Sequence, residues 1–240
     1  PAPCCLKACP ASNARSRCSH QELTVAKSIM LIPHGAGNIG SLMELFHQVG
    51  YFPHVAESPA QLDNVDMAVL PGVGASGSAM ARLRETGFAD ALVRMNERQR
   101  PLVGICVGAQ VMFDRLHENE CTGLKLLPGE VARIDGGEFN NGWADVRLEA
   151  QTLEAGSAKQ KPLPLKTAAK RFYFNHGYQI NTNAKMQETG YTTTPSSGPQ
   201  GKKLLAYFVR DNLCGIQFHP EKSQAAGLAF IANTMKHYGF

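Results

Sequence analysis

No apolar run in this 240-residue sequence approaches the roughly 18 to 20 residues that a membrane-crossing helix needs, and the longest candidates are interrupted by glycine, proline or charge. A soluble protein is expected. Charge of one sign is scarce as well: the formal net charge of +4 comes from 24 basic and 20 acidic side chains that are intermixed, which argues against a surface dedicated to nucleic acid. Cysteine is thin in the body of the chain. Of seven, Cys4, Cys5, Cys9 and Cys18 crowd the first segment and leave Cys106, Cys121 and Cys214. That odd, scattered set speaks against a disulfide framework and for free thiols in a reducing compartment, the cytoplasm. Metal-ligand spacing is missing among the histidines, and Cys4, Cys9, Cys18 and His20 match no common finger or ribbon, so neither a metal nor another cofactor is expected. There is no internal repeat.

Residues 1–27 carry Lys7, Arg15 and Arg17, have no acid before Glu22 and lack an apolar stretch, so they are not a secretory signal. They read as a disordered extension, with a transit peptide as the second reading. Residues 28–240, in a chain that is 43% hydrophobic, suit one α/β domain with an ordinary core.

Within that domain, Ser28 to Ile32 reads as a strand, followed by a glycine-rich turn and a helix through Ser41 to Phe46. An extended stretch follows at Phe52 to Ala56. Met67 to Leu70 then runs as a strand into the Pro71-Gly72-Val73-Gly74 loop, and Ser78 to Arg98 reads as helical. Pro101 to Ile105 is a short apolar strand that meets Cys106, with helical periodicity expected through Val107 to Leu116. Gln151 to Lys170 reads as a surface insertion. Extended runs resume at Arg171 to Phe174, Leu204 to Val209 and Gly215 to Phe218, and Ala225 to Tyr238 closes as an amphipathic helix. Alternating strands and helices predict an open, mostly parallel, flavodoxin-like α/β sheet with helices on both faces. Ligands of such sheets gather at the carboxyl ends of the strands, where the Gly35, Gly72 and Cys106 loops all fall.

Gly104-Ile105-Cys106-Val107-Gly108 has the form of a nucleophile elbow, in which small residues two places either side let a sharp strand-to-helix turn close. A following helix would favour thiolate at Cys106 and aim the Val107 N–H at an oxyanion. On this motif alone a structural cysteine and a catalytic one are equally open. His219-Pro220-Glu221 shifts the balance, because a thiol nucleophile needs a base and the base needs an orienter. Pro220 biases His219 towards extended backbone, where positions i and i+2 share a face, so Glu221 can lie beside the imidazole.

Together Gly-Ile-Cys-Val-Gly-Ala-Gln and the downstream Gln-Phe-His-Pro-Glu-Lys-Ser resemble the class I, triad-type glutamine amidotransferases over nearly everything after Lys27. Leu70 to Ala75, Phe172 to Tyr178, Gly35 to Asn38 and Gly123 to Gly129 are most similar to the glutaminase subunits of imidazole glycerol phosphate synthases. The resemblance implies that Cys106 attacks the glutamine side-chain amide, His219 protonates the departing ammonia and Glu221 orients His219. It implies oxyanion amides from Val107 and the Gly72-Val73-Gly74 loop, the latter after a peptide flip promoted by a partner. Gln110, Glu118, Gly177 and Tyr178 would hold glutamine, and Trp143 and Lys222 would lie at the interface with a (β/α)8-barrel cyclase subunit that receives the ammonia in a heterodimer. No membrane or nucleic-acid partner is implied.

Two segments depart from the family pattern. Pro33-His34-Gly35 stands where an Asp-Tyr-Gly type turn is usual, and Asn141-Gly142-Trp143-Ala144 replaces a Met-Gly-Trp-Asn type segment. The second lies at the partner-facing gate and keeps open a glutaminase that serves a sugar amidotransferase in surface-polysaccharide synthesis. A stand-alone cysteine hydrolase and a non-catalytic interaction subunit are further alternatives. Gly35-Ala36-Gly37-Asn38-Ile39-Gly40, with Glu57 roughly 20 residues on, also spells a dinucleotide-binding fingerprint. Asn38 can instead cap the following helix, and nothing downstream supplies a hydride-transfer site, so NAD binding is not expected.

Overall fold

The computed structural model describes residues 27–35, 38–149, 171–193 and 201–240. The expected extension, up to residue 26, and the whole of the expected insertion at 151–170 lie outside the described residues. In chain order the elements are β1 (Ile29–Leu31), α1 (Ile39–Gln48), β2 (His54–Val55), β3 (Met67–Leu70), α2 (Ser76–Glu85), α3 (Phe88–Glu97), β4 (Leu102–Ile105) and α4 (Val107–Gln110). There follow β5 (Phe113–Leu116), β6 (Cys121–Thr122), β7 (Leu127–Arg133), β8 (Asn140–Asp145), β9 (Arg147–Glu149), β10 (Arg171–His176) and β11 (Tyr178–Asn181). The chain closes with β12 (Glu188–Thr193), β13 (Lys203–Arg210), β14 (Leu213–Ile216) and α5 (Gln224–His237).

The main sheet runs β2-β1-β3-β4-β14-β13-β12-β9. Its first five strands are parallel and its last three antiparallel. Every residue of β3, β4 and β14 is buried, the signature of central parallel strands covered on both faces. A four-stranded sheet (β11-β7-β5-β6) and a β8-β10 ribbon stand beside it. No helix among the described residues is long and apolar enough to cross a membrane.

Three expectations change. The single helical stretch from Ser78 to Arg98 is two helices, broken where Gly87 takes φ 77°. The helix expected through Val107 to Leu116 is a single turn, α4, after which Phe113–Leu116 pairs as a strand with β7. Val111, Met112 and Phe113 are all buried, and Phe113 packs edge-on against Phe208 at 5.5 Å. An apolar run buried on every side carries no periodicity, so tertiary pairing decides its form. The third change is at His219 and Glu221, described with the site. Asn38 does cap α1, its side chain accepting from the Ser41 N–H at 3.3 Å.

At the carboxyl ends of β3 and β4 the backbones nearly touch. A Cβ on Gly108 would overlap the Leu70 carbonyl, and one on Gly104 would come within 2.7 Å of the Ala109 nitrogen. Gly108→Ala should therefore lower stability by about 3 kcal/mol or more. Gly40→Ala, in open space on α1, should raise it by about 0.5 to 1 kcal/mol. Urea unfolding midpoints check both.

Candidate active site

Cys106 sits between β4 and α4 with φ 53° and ψ −110°, a conformation that L-residues rarely adopt. Its N–H donates to the Ile216 carbonyl at 2.6 Å, which ties the elbow to β14. The side chain is buried, 3% exposed, and faces a cavity of about 490 Å³ whose wall also includes Val73, Gly74, Gln110, Tyr178 and His219. Since α4 is one turn, its dipole is slight. Its opening amide, Val107 N–H, still has no acceptor inside the turn.

His219 follows β14 in extended conformation (φ −99°, ψ 98°), its N–H donating to the Tyr173 carbonyl at 2.8 Å. The chain then tightens into a 3-10 turn over Pro220–Lys222. Glu221 therefore reaches the imidazole through a turn, not by extended i, i+2 alternation. The result is the contact the sequence suggested: His219 Nδ1 lies 2.9 Å from Glu221 Oε1, with both side chains nearly inaccessible to water. Ser223 locks the turn, donating to the His219 carbonyl at 2.6 Å and accepting from the Tyr173 N–H at 3.0 Å.

Burial alone would push the His219 imidazole down. Hydrogen bonds to the Cys106 sulfur and the Glu221 carboxylate, reinforced by their charges, outweigh it and hold the group well above the ordinary histidine value. His176 shows the opposite balance. Burial lowers it to about 4, against a hydrogen bond to the Tyr178 carbonyl and with a further push from His219. Its Nδ1–H donates to Tyr178 O at 2.7 Å and its Nε2 accepts from Asn140 Nδ2 at 3.0 Å, so it is a neutral wall residue with both nitrogens committed.

The other expected residues fall in two places. Gln110, Glu118, Gly177 and Tyr178 line the cavity. Glu118 Oε2 accepts from the Ser76 N–H at 2.6 Å and its hydroxyl at 3.0 Å. Gly177 lies under Phe139, whose ring would be 2.9 Å from an added Cβ. Val73 and Gly74 (φ 86°) line the cavity, while Gly72 is pressed against the α4 backbone. Trp143 and Lys222 stand outside it, both against Tyr173: the indole packs edge-on at 6.1 Å and the Lys222 Nζ lies 5.5 Å from the ring centre. His34, the departure at the end of β1, is buried and donates through Nε2 to the Pro71 carbonyl, which adjoins the Gly72 loop. Burial lowers its pKa, partly offset by that hydrogen bond.

Gln217 does not stand out as a site residue from spacing, although it opens the Gln-Phe-His-Pro-Glu motif. Its Nε2 lies 3.6 Å from the Cys106 sulfur. A folded-state pKa raised at His219 adds stability that is complete below the unfolded histidine value and is lost as pH rises through the folded one. NMR titration of the His219 ring should find it protonated at neutral pH, and Cys106→Ala should bring its titration down towards 6.5.

The family model "Glutamine amidotransferase class-I" matches residues 38–237. The imidazole glycerol phosphate synthase subunit HisH of Moorella thermoacetica is 35% identical, covering 86% of this chain and 93% of its own. A HisH subunit of Thermus thermophilus is 35% identical, covering 87% of this chain and 97% of its own. Among solved structures, PurLQS from Thermotoga maritima superposes with a TM-score of 0.66 at 17% identity over 88% of this chain and 98% of that one, a likeness of fold. The elbow, the turn-borne His219–Glu221 pair and these relatives agree: the chain belongs to the class I glutamine amidotransferases and, within them, to the family of the imidazole glycerol phosphate synthase subunit HisH.

Proposed function

We propose that this chain hydrolyses glutamine to glutamate and ammonia at Cys106 and delivers the ammonia to a (β/α)8-barrel cyclase subunit for histidine biosynthesis. The observation that carries the reading is the buried Cys106 sulfur, held at a positive φ, sharing a cavity with a His219 imidazole whose Nδ1 lies 2.9 Å from Glu221 Oε1. In the first half-reaction the thiolate attacks the amide carbon, and the developing oxyanion meets the Val107 N–H and an amide of the Gly72-Val73-Gly74 loop. His219 gives its proton to the departing nitrogen, so ammonia leaves and a glutamyl thioester remains. His219, now neutral, takes a proton from water as the water oxygen bonds to the acyl carbon. The C–S bond breaks with its electron pair on sulfur.

Glutamine carries an ammonium group and a carboxylate, and the cavity wall offers Glu118 and Arg133 as their counter-charges. Gln110, Gly177 and Tyr178 complete the holding surface in this reading. Trp143, 41% exposed, with Tyr173 and Lys222 forms an aromatic and cationic face suited to a protein partner. The departure at Ala144 lies on the opposite face of β8 from Trp143, paired with Phe172 and packed against the core, and the relatives favour the histidine-pathway partner over a sugar-amidating one. Free thiols at Cys106, Cys121 and Cys214 agree with a cytoplasmic setting.

The test is to purify the chain with and without a candidate cyclase barrel and follow glutamate release. Activity should be low alone and rise roughly 10- to 100-fold when the partner carries its imidazole-precursor ligand. Cys106→Ala should lower it by about 10⁴-fold or more. Trp143→Ala should reduce stimulation more than basal turnover. Stimulation by a sugar-acceptor partner alone would overturn the pathway assignment, and full activity in Cys106→Ala would overturn the chemistry.

A further inference from the structure

Gln217 is the most deeply committed polar side chain near the sulfur, 1% exposed. Its main-chain N–H is satisfied by the Ala206 carbonyl at 2.8 Å, so the sheet makes no demand on its side chain. The side-chain Oε1 accepts from Gln110 Nε2 at 3.1 Å. That bond decides the orientation of the amide: with its oxygen turned to a donor, its N–H must face the Cys106 sulfur. Gln110 in turn directs the same Nε2 to the Tyr178 carbonyl at 3.4 Å, which spends its donors on the wall and leaves its Oε1 for a ligand in the cavity it lines.

A neutral thiol is a weak acceptor, so a buried amide N–H gains little from facing one. A thiolate is a strong acceptor, and a donor held beside it gains most when the charge is present. Two donors thus converge on the sulfur from different elements: His219 from the turn after β14, and Gln217 from the strand end two residues earlier.

We infer that Gln217 is a second hydrogen-bond donor to the nucleophilic sulfur, stabilising it as the leaving group when the thioester breaks down, and that Gln110 is the positioning residue that fixes its direction. The inference deepens the glutaminase reading and rests on it for the thioester step. During that step His219 is engaged with water: it accepts the water proton while oxygen bonds to the acyl carbon and the C–S electron pair passes to sulfur. The released glutamic acid side chain ionises to solvent, and a thiolate facing an imidazolium remains. His219 cannot serve the sulfur while it receives the water proton, whereas the Gln217 N–H can do so throughout. In the forward attack the same donor helps less, because a better stabilised thiolate is also a poorer nucleophile.

The experiment uses Gln217→Met, close in size but without the donor, and Gln217→Asn, which keeps the amide but is one methylene short. Both are first compared with the native chain by thermal unfolding. On the isolated chain, iodoacetamide alkylation followed at Cys106 by peptide mass should shift to higher pH in each variant. This arm needs neither glutamine nor partner, so it decides the hydrogen bond even if the wild-type pair shows no glutaminase activity, an outcome that would sink the reading alone. With the cyclase partner and glutamine, kcat should fall between about 10- and 100-fold with KM unchanged or lower. Acid-quenched samples should then show the glutamyl thioester accumulating on Cys106. An unchanged alkylation profile overturns the proposal. So does a lower unfolding temperature with kcat intact, or a fall in kcat without thioester, each of which reduces Gln217 to packing or to the acylation step.

Discussion

The near-contact of Gly108 with the end of β3 is the constraint on which the site depends. With no side chain at Gly108 the elbow settles against the Leu70 carbonyl, and with none at Gly72 the following loop settles against α4. Two loops from neighbouring strands are thereby held at one rim, and amides of the Val73–Gly74 segment share a cavity with the sulfur. The conformation forced on Cys106 costs on the order of 1 to 3 kcal/mol. Parallel pairing of β4 with β3 and β14, and the 2.6 Å bond from the Cys106 N–H to Ile216, offset it. The strain at Cys106 is thus carried by the centre of the sheet.

Charge in the site is divided by environment. His219 and His176 are both buried near the cavity, yet one is driven up and the other down to about 4. The difference lies in their partners: an acid and a sulfur for His219, a carbonyl and an amide for His176. Opposite shifts in neighbouring groups set the two imidazoles apart. Ser223 keeps His219 in place by closing the turn through the backbone, without touching the ring.

Where one residue's neighbours in sequence are also its neighbours in space, the site was legible. Gly104 and Gly108 flank a turn whose closure depends on their own size, and His219 and Glu221 need only local backbone to meet. Even there the route differs, since Pro220 starts a 3-10 turn where extended chain was expected. Elsewhere local pattern had nothing to report. The apolar Val111 to Phe113 could not announce a strand, because pairing with β7 and packing on Phe208 are long-range events. Gln217 looked like a motif residue of no stated purpose. Its proximity to Cys106 comes from β14 lying beside β4, more than 100 residues apart in the chain.

By itself the sequence determined the parallel α/β class, the elbow at Cys106, its partners His219 and Glu221, and the family, because each of these rests on residue size, chemistry or spacing along a short stretch. Tertiary structure alone decided the antiparallel extension through β13, β12 and β9, the strand after α4, the neutral state of His176 and the Gln217 amide facing the sulfur. Each of those depends on desolvation or hydrogen bonding between segments far apart in the chain, and such energies exist only once the sheet has brought the segments together.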